Sequence, residues 1–171
     1  NPLDRGADCF GGSTHKTIPG PHKAFIATNS SELALKYQNA ADHFVSHHHS
    51  ASIISLAITL LEMKNFGGDK YAKKILYFTR EFGDLLSKKN YFVTAEERGF
   101  SDCHQIWTHP KDKEKIDIIL NRLVRSGINI NAFDALPRVN NQVFRLSLAE
   151  FVRRGASFDN LTQLSEIFSN A

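Results

Sequence analysis

Three sets of side chains in this sequence carry chemistry. The first is Ser13-Thr14-His15-Lys16-Thr17, followed by Ile18-Pro19-Gly20-Pro21. Lys16 stands between hydroxyl residues, after a short apolar run and before a Pro-Gly-Pro segment that cannot continue a regular element. A lysine held in a pocket at such a strand-to-loop junction can condense with an aldehyde to an imine. Desolvation or a cationic neighbour lowers its pKa enough to free the amine. A solvated surface loop is the alternative, since most lysines are exposed. The second is Arg145, inside the apolar run Phe144-Arg145-Leu146, where an unpaired guanidinium is costly and a buried partner is expected. Its fixed fork of donors suits a carboxylate bound through two parallel bonds; an internal salt bridge is the alternative. The third is the histidine group His43, His47, His48 and His49. Three consecutive histidines point in divergent directions, so at most two could reach one ion, and a polar loop is preferred to a metal site.

These groups need elements to position them. Residues 7–10 read as a buried strand ending at Gly11-Gly12 and delivering its C-terminal end to the lysine segment, where open α/β sheets collect ligands. Residues 23–28 read as a second strand, and Ser30 caps a helix to about residue 39. Residues 50–63 form a helix that is apolar nearly all round, which predicts burial. Gly67-Gly68 breaks it, and a helix from Asp69 follows with apolar positions every three or four residues. Its lysines and arginines read as a solvated face. Strands are expected at 91–94 and 103–108, on either side of the charged turn Glu96-Glu97-Arg98-Gly99. A helix over 113–125, a short strand at 128–130, a loop containing Pro137, a strand at 143–146 and a terminal helix capped near Ser157 complete the chain. This order predicts a small α/β two-layer sandwich with its helices on one sheet face.

Composition narrows the class. Of 171 residues, 42% are hydrophobic and 23% charged, which is ordinary for a globular chain. The net charge of +3 is dispersed, so no phosphate track for nucleic acid is implied. Cys9 and Cys103 lie far apart without metal-ligand spacing and read as free thiols of a reducing compartment. The longest apolar run is too short to cross a bilayer, so a soluble cytoplasmic protein is expected. The start at Asn1-Pro2-Leu3-Asp4, without an initiator Met, reads as if the chain were cut from a longer one.

The order Thr14-His15-Lys16-Thr17-x-x-Gly20-Pro21 resembles the cofactor-lysine segment of the serine hydroxymethyltransferase family of fold type I pyridoxal-phosphate enzymes. In that family a segment Gly-x-Arg-x-Gly-Thr-x-x-x-Thr-x-Arg-Gly grips the substrate carboxylate. The stretch from Val143 to Gly155 keeps its Arg and Arg-Gly without the Gly-Thr pair. The resemblance implies pyridoxal 5'-phosphate bound to Lys16, with His15 and Thr14 as catalytic neighbours and Ser13 and Thr17 as cofactor contacts. It implies that Arg145 holds the substrate carboxylate and faces the lysine across a cleft. Residues 43–49 resemble a segment at the family's dimer interface, which gives Ser46, His47 and His48 contacts to the cofactor phosphate in a homodimer. Residues 1–62 would then be the end of the large cofactor-binding domain with its linker helix, and 63–171 the small C-terminal domain.

The implied activity is an aldol-type reaction on serine, threonine or glycine, with no metal. Two departures bear on it. The family's Gly-Pro-Arg-Gly-Gly is here Gly20-Pro21-His22-Lys23-Ala24, and the loop over 129–141 is shortened; with Pro19, these look more like the folate-independent threonine transaldolase branch. The resemblance covers residues 4–167 and only the C-terminal part of such an enzyme. The family's pyridine-pairing aspartate, stacking histidine and acid/base glutamate would precede residue 1, so activity is expected of the full-length protein. A non-catalytic dimerisation or regulatory module is the rival reading.

Overall fold

The computed structural model describes residues 1–112, 115–133 and 142–171. The first residues of the helix expected over 113–125 and the loop segment around Pro137 lie outside the described residues. The chain divides into two compact units, Asn1–Gly68 and Asp69–Ala171.

The first unit opens with strand β1 (Phe10–Ser13), which pairs antiparallel with β2 (Ala24–Ala27) from Phe10 opposite Ala27 to Ser13 opposite Ala24. The sequence places this strand three residues earlier and in an open α/β sheet. Among the described residues it pairs with β2 alone, and the glycine pair expected to end it lies inside it. The reason is a close backbone approach: a Cβ on Gly11 would stand 2.6 Å from the carbonyl oxygen of Phe25. Helix α1 (Ser31–Phe44) follows, five residues longer than expected and capped by Ser30, whose Oγ accepts from Leu33 N at 3.2 Å.

Helix α2 (Ser50–Asn65) is not covered by the described residues to the extent its composition predicts. Only the stripe Ser52, Leu56, Thr59 and Met63 is half-buried, while Ile53, Ile54 and Leu61 are 50%, 61% and 57% exposed. An all-round apolar helix needs cover on every side, and the described residues of its unit cover one stripe. Gly67, at φ +95°, turns the chain out of α2.

The second unit begins with α3 (Gly68–Ser87), which enters it at Asp69. Strands β3 (Tyr91–Val93), β4 (Gln105–Pro110), β5 (Asn131–Phe133) and β6 (Val143–Ser147) form one antiparallel sheet in the order β3-β4-β6-β5. Helices α4 (Ile116–Arg125), α5 (Ala149–Arg153) and α6 (Phe158–Asn170) complete the unit. The predicted α/β two-layer order is therefore observed, with α5 added. Side chains alternate across a strand, so Tyr91, Val93, Ile106, Phe144 and Leu146 share one face. They join a core with Ile75, Phe78, Phe82 and Leu86 of α3, Leu123 of α4 and Leu161 and Phe168 of α6. Burying such side chains stabilises by roughly 1.5–3 kcal/mol each. The terminal helix starts as expected, with Ser157 and Asn160 capping each other reciprocally.

Two strands are displaced from their predicted places. β5 starts at Asn131, not at residue 128, because Ile128 N still donates to Leu123 O at the end of α4. β4 starts at Gln105 because Ser101 Oγ donates to Gln105 O at 2.6 Å and accepts from Cys103 N, folding residues 101–104 into a turn.

Candidate functional site

The lysine segment is a loop clasped at its base. Thr14 is 1% exposed, and its Oγ1 lies 2.7 Å from Pro21 O and 3.0 Å from Lys23 O, so one hydroxyl proton is shared between two carbonyls. Thr14 N donates to Lys23 O and Gly20 N to Thr14 O, both at 2.9 Å. One residue thus closes the loop through its amide, carbonyl and hydroxyl together. Gly20 allows the closure, since a Cβ there would stand 2.7 Å from Thr14 O. Thr14, read from sequence as a catalytic neighbour, spends its hydroxyl on this closure.

Lys16 is exposed on that fixed loop, not sunk in the pocket that the sequence reading expected; the loop supplies a rigid backbone and leaves the side chain open. Beside it, His15 stacks on His22 with ring centroids 4.1 Å apart and planes 25° apart. The Nδ1 of His15 is buried with no hydrogen-bond partner among the described residues, which costs roughly 1–3 kcal/mol unless a group outside the chain satisfies it. Ser13 ends β1 and Thr17 lies half-buried on the loop.

The histidine stretch is more ordered than a plain polar loop. His43 lies in the last turn of α1, its Nδ1 2.7 Å from Asn39 O. His49 sits at φ +45° as the N-cap of α2, and its Nδ1 accepts from Ser52 N. Between them Ser46, His47 and His48 are exposed. Lys23 Nζ donates to His48 O, which fastens this stretch to the base of the lysine loop. Ser46, His47 and His48 thus share a unit with the lysine loop, and the His48 carbonyl is bonded to it. Among the described residues no three His, Cys, Asp or Glu side chains are grouped to hold a metal ion, and no helix is long and apolar enough to cross a membrane.

In the second unit, Arg145 corrects the expectation of a buried partner. It is exposed, because the core face of β6 is Phe144 and Leu146 and the residue between them points the other way. It stands opposite Trp107 on β4 and Asn131 on β5, and its guanidinium carbon lies 4.3 Å from the ring centroid of Phe133. Five residues on, Glu150 accepts two bonds from Arg153, at 2.6 Å each, and one from Arg154 at 3.1 Å. The Arg153 bonds, with help from Arg154, hold the Glu150 carboxyl down at about 2. With Glu150 taken by Arg153 and Arg154, the guanidinium of Arg145 makes no ion pair among the described residues. Lys23 and Phe133 escaped the sequence reading. Lys23 acts through a backbone carbonyl, which leaves no sequence trace, and Phe133 falls on a strand whose register was placed three residues early.

The chain is 37% identical to an L-threonine:uridine-5'-aldehyde transaldolase of Streptomyces sp, over all of this chain and 42% of that protein. It is 32% identical to the serine hydroxymethyltransferase of Archaeoglobus fulgidus, over all of this chain and 40% of that protein. The solved L-threonine transaldolase from Pseudomonas fluorescens in its internal aldimine state superposes with a TM-score of 0.87 at 29% identity, over 99% of this chain and 39% of the other. No protein-family model matches. The α/β fold is that of the C-terminal portion of fold type I pyridoxal-phosphate enzymes. Within that class its homologues are L-threonine transaldolases and serine hydroxymethyltransferases, and it spans about two-fifths of the length of the curated relatives it matches.

The residues present fit the aldehyde cofactor of that class. An exposed amine is carried on a loop closed at its base by Thr14, and the residue before it has a buried imidazole nitrogen without a partner among the described residues. The backbone carbonyl of His48, in the stretch that carries Ser46 and His47, accepts from Lys23 at the base of the same loop.

Proposed function

We propose that this chain is the C-terminal part of a pyridoxal-phosphate-dependent aldol-type transferase acting on threonine, serine or glycine, and that it belongs to the folate-independent transaldolase branch. The clasped loop carrying Lys16 carries the proposal: a freely moving surface lysine has no use for a threonine buried solely to close its loop. In this reading the amine of Lys16 is the group that would hold the aldehyde of the cofactor. The cofactor, when bound, supplies an electron sink for the bond that breaks at the substrate Cα. His15 and His22 hold or pass protons beside the amine, and Thr14 fixes the loop's position. Ser13 and Thr17 contact the cofactor at the loop's ends, and Ser46, His47 and His48 bind its phosphate. Arg145 grips the substrate carboxylate through two parallel bonds.

The branch assignment is supported by His22 in place of the family's arginine, by Pro19, and by transaldolases at 37%, 36% and 34% identity. The exposed apolar residues of α2 support further protein cover, and we read the working enzyme as a cytoplasmic homodimer. The test is to add pyridoxal 5'-phosphate to the full-length protein and look for an absorbance band that borohydride bleaches. The band is expected in the parent and absent in Lys16→Ala. No band in the parent would instead leave a non-catalytic module. Activity that strictly requires folate would return the assignment to hydroxymethyl transfer.

A further inference from the structure

We propose that Phe133 is a positioning residue for the carboxylate-binding guanidinium of Arg145, an inference that rests on the substrate role proposed for that arginine. An exposed arginine on a strand has four rotatable side-chain bonds, and a two-bond grip on a carboxylate requires its plane to be fixed before the substrate arrives. Arg145 makes no ion pair among the described residues that would fix it; Glu150, five positions further along the chain, is taken by Arg153 and Arg154. What it has is a ring. Phe133 lies on β5, with Asn131 opposite Arg145 and Phe133 opposite Val143, so arginine and ring are diagonal neighbours on one face of the sheet. The guanidinium carbon stands 4.3 Å from the ring centroid, inside the range of a cation–π contact. Trp107, directly opposite Arg145 on β4, bounds it on the other side of the same face.

A phenyl ring suits this task. It attracts the flat side of a guanidinium while offering nothing that competes for the N–H edge, so all edge donors stay available to a carboxylate. A carboxylate in the same place would hold the arginine but occupy the fork. The ring also keeps water off one side of the cation, which strengthens the bond formed on the edge.

The test uses the full-length holoenzyme and compares threonine with its decarboxylated amine, 1-amino-2-propanol, by calorimetric affinity and, for threonine, by KM and kcat. Phe133→Leu is expected to weaken threonine binding and raise its KM about three- to thirty-fold, the range of a cation–π contact between exposed and desolvated sites. The affinity for the amine and kcat are expected to change less than about twofold, and Phe133→Tyr to restore threonine binding to within about twofold. A general loss of packing would weaken both ligands alike, and that outcome overturns the proposal. Arg145→Lys separates the two layers of the argument. If it weakens threonine while Phe133→Leu does not, the positioning role alone falls; if it leaves threonine binding unchanged, the carboxylate role falls and Phe133 with it.

Discussion

Gly83→Ala in α3 is a substitution whose sign depends on a single neighbour. A Cβ at this position would stand 2.6 Å from Cγ and 2.9 Å from Cβ of Phe100, far inside ordinary contact. Phe100 cannot yield easily: its backbone is at φ +71°, and its ring packs partly buried against the core. Overpacking of this kind costs roughly 1–3 kcal/mol. Against it stands the gain from replacing a helical glycine by alanine, about 1 kcal/mol. The single substitution should therefore destabilise by up to about 2 kcal/mol. In a Phe100→Gly background both offending atoms are gone and the left-handed backbone is relieved, so only the helix gain remains. There Gly83→Ala should stabilise by up to about 1 kcal/mol, a coupling of roughly 1–3 kcal/mol between the sites. Urea unfolding of the 171-residue chain, followed through its one tryptophan, Trp107 on β4 of the same unit, measures all four corners of the cycle. If Gly83→Ala stabilises the parent chain as much as it does the Phe100→Gly chain, the ring moves aside at no cost and the reasoning is wrong.

Thr14→Val keeps the shape of the buried side chain and removes the proton shared by Pro21 O and Lys23 O, so it should destabilise by about 1–3 kcal/mol, with Thr14→Ser affected less. Limited proteolysis of residues 15–22 is the direct readout, and cleavage at the parent rate in Thr14→Val would refute the clasp. Glu150 titrates well below its ordinary value of 4.5, at about 2, because Arg153 and then Arg154 bond its ionised form. A depressed carboxyl contributes stability above its unfolded pKa and loses it as the pH falls. Its contribution should therefore fade between about pH 4.5 and 2, and Glu150→Gln should flatten the unfolding midpoint across that window. A parallel acid slope in parent and variant would sink the assignment.

Much of the second unit could be read from the chain because its signals are local. The three-to-four spacing of Ile75, Phe78, Phe82 and Leu86 and the Ser157 cap each need only a few neighbouring residues, and each reappears in the structure. Where the reading slipped, the deciding contact was distant in sequence. Strand β1 moved because Phe25 of β2 approaches Gly11, and the side to which Arg145 turns was set by which face of β6 the helices cover. The exposure of α2 follows the same logic, since its composition records a need for cover that the described residues of its unit do not meet. At the candidate site the residue types Lys16, His15 and Arg145 were legible, because their chemistry is written in side-chain identity. The burial of Thr14, the His15–His22 stack and the ring beneath Arg145 were not, because they depend on loop closure and strand register.

The closure of the lysine loop has a consequence for how such a protein can change. Its anchor points are backbone carbonyls and amides, and the positions it constrains are an inward-facing threonine at 14 and a residue without a Cβ at 20. Positions 18, 19 and 22 can then be exchanged without displacing the amine at position 16. A lineage with this arrangement can retune the surroundings of its reactive group, one substitution at a time, while the group itself stays where it was.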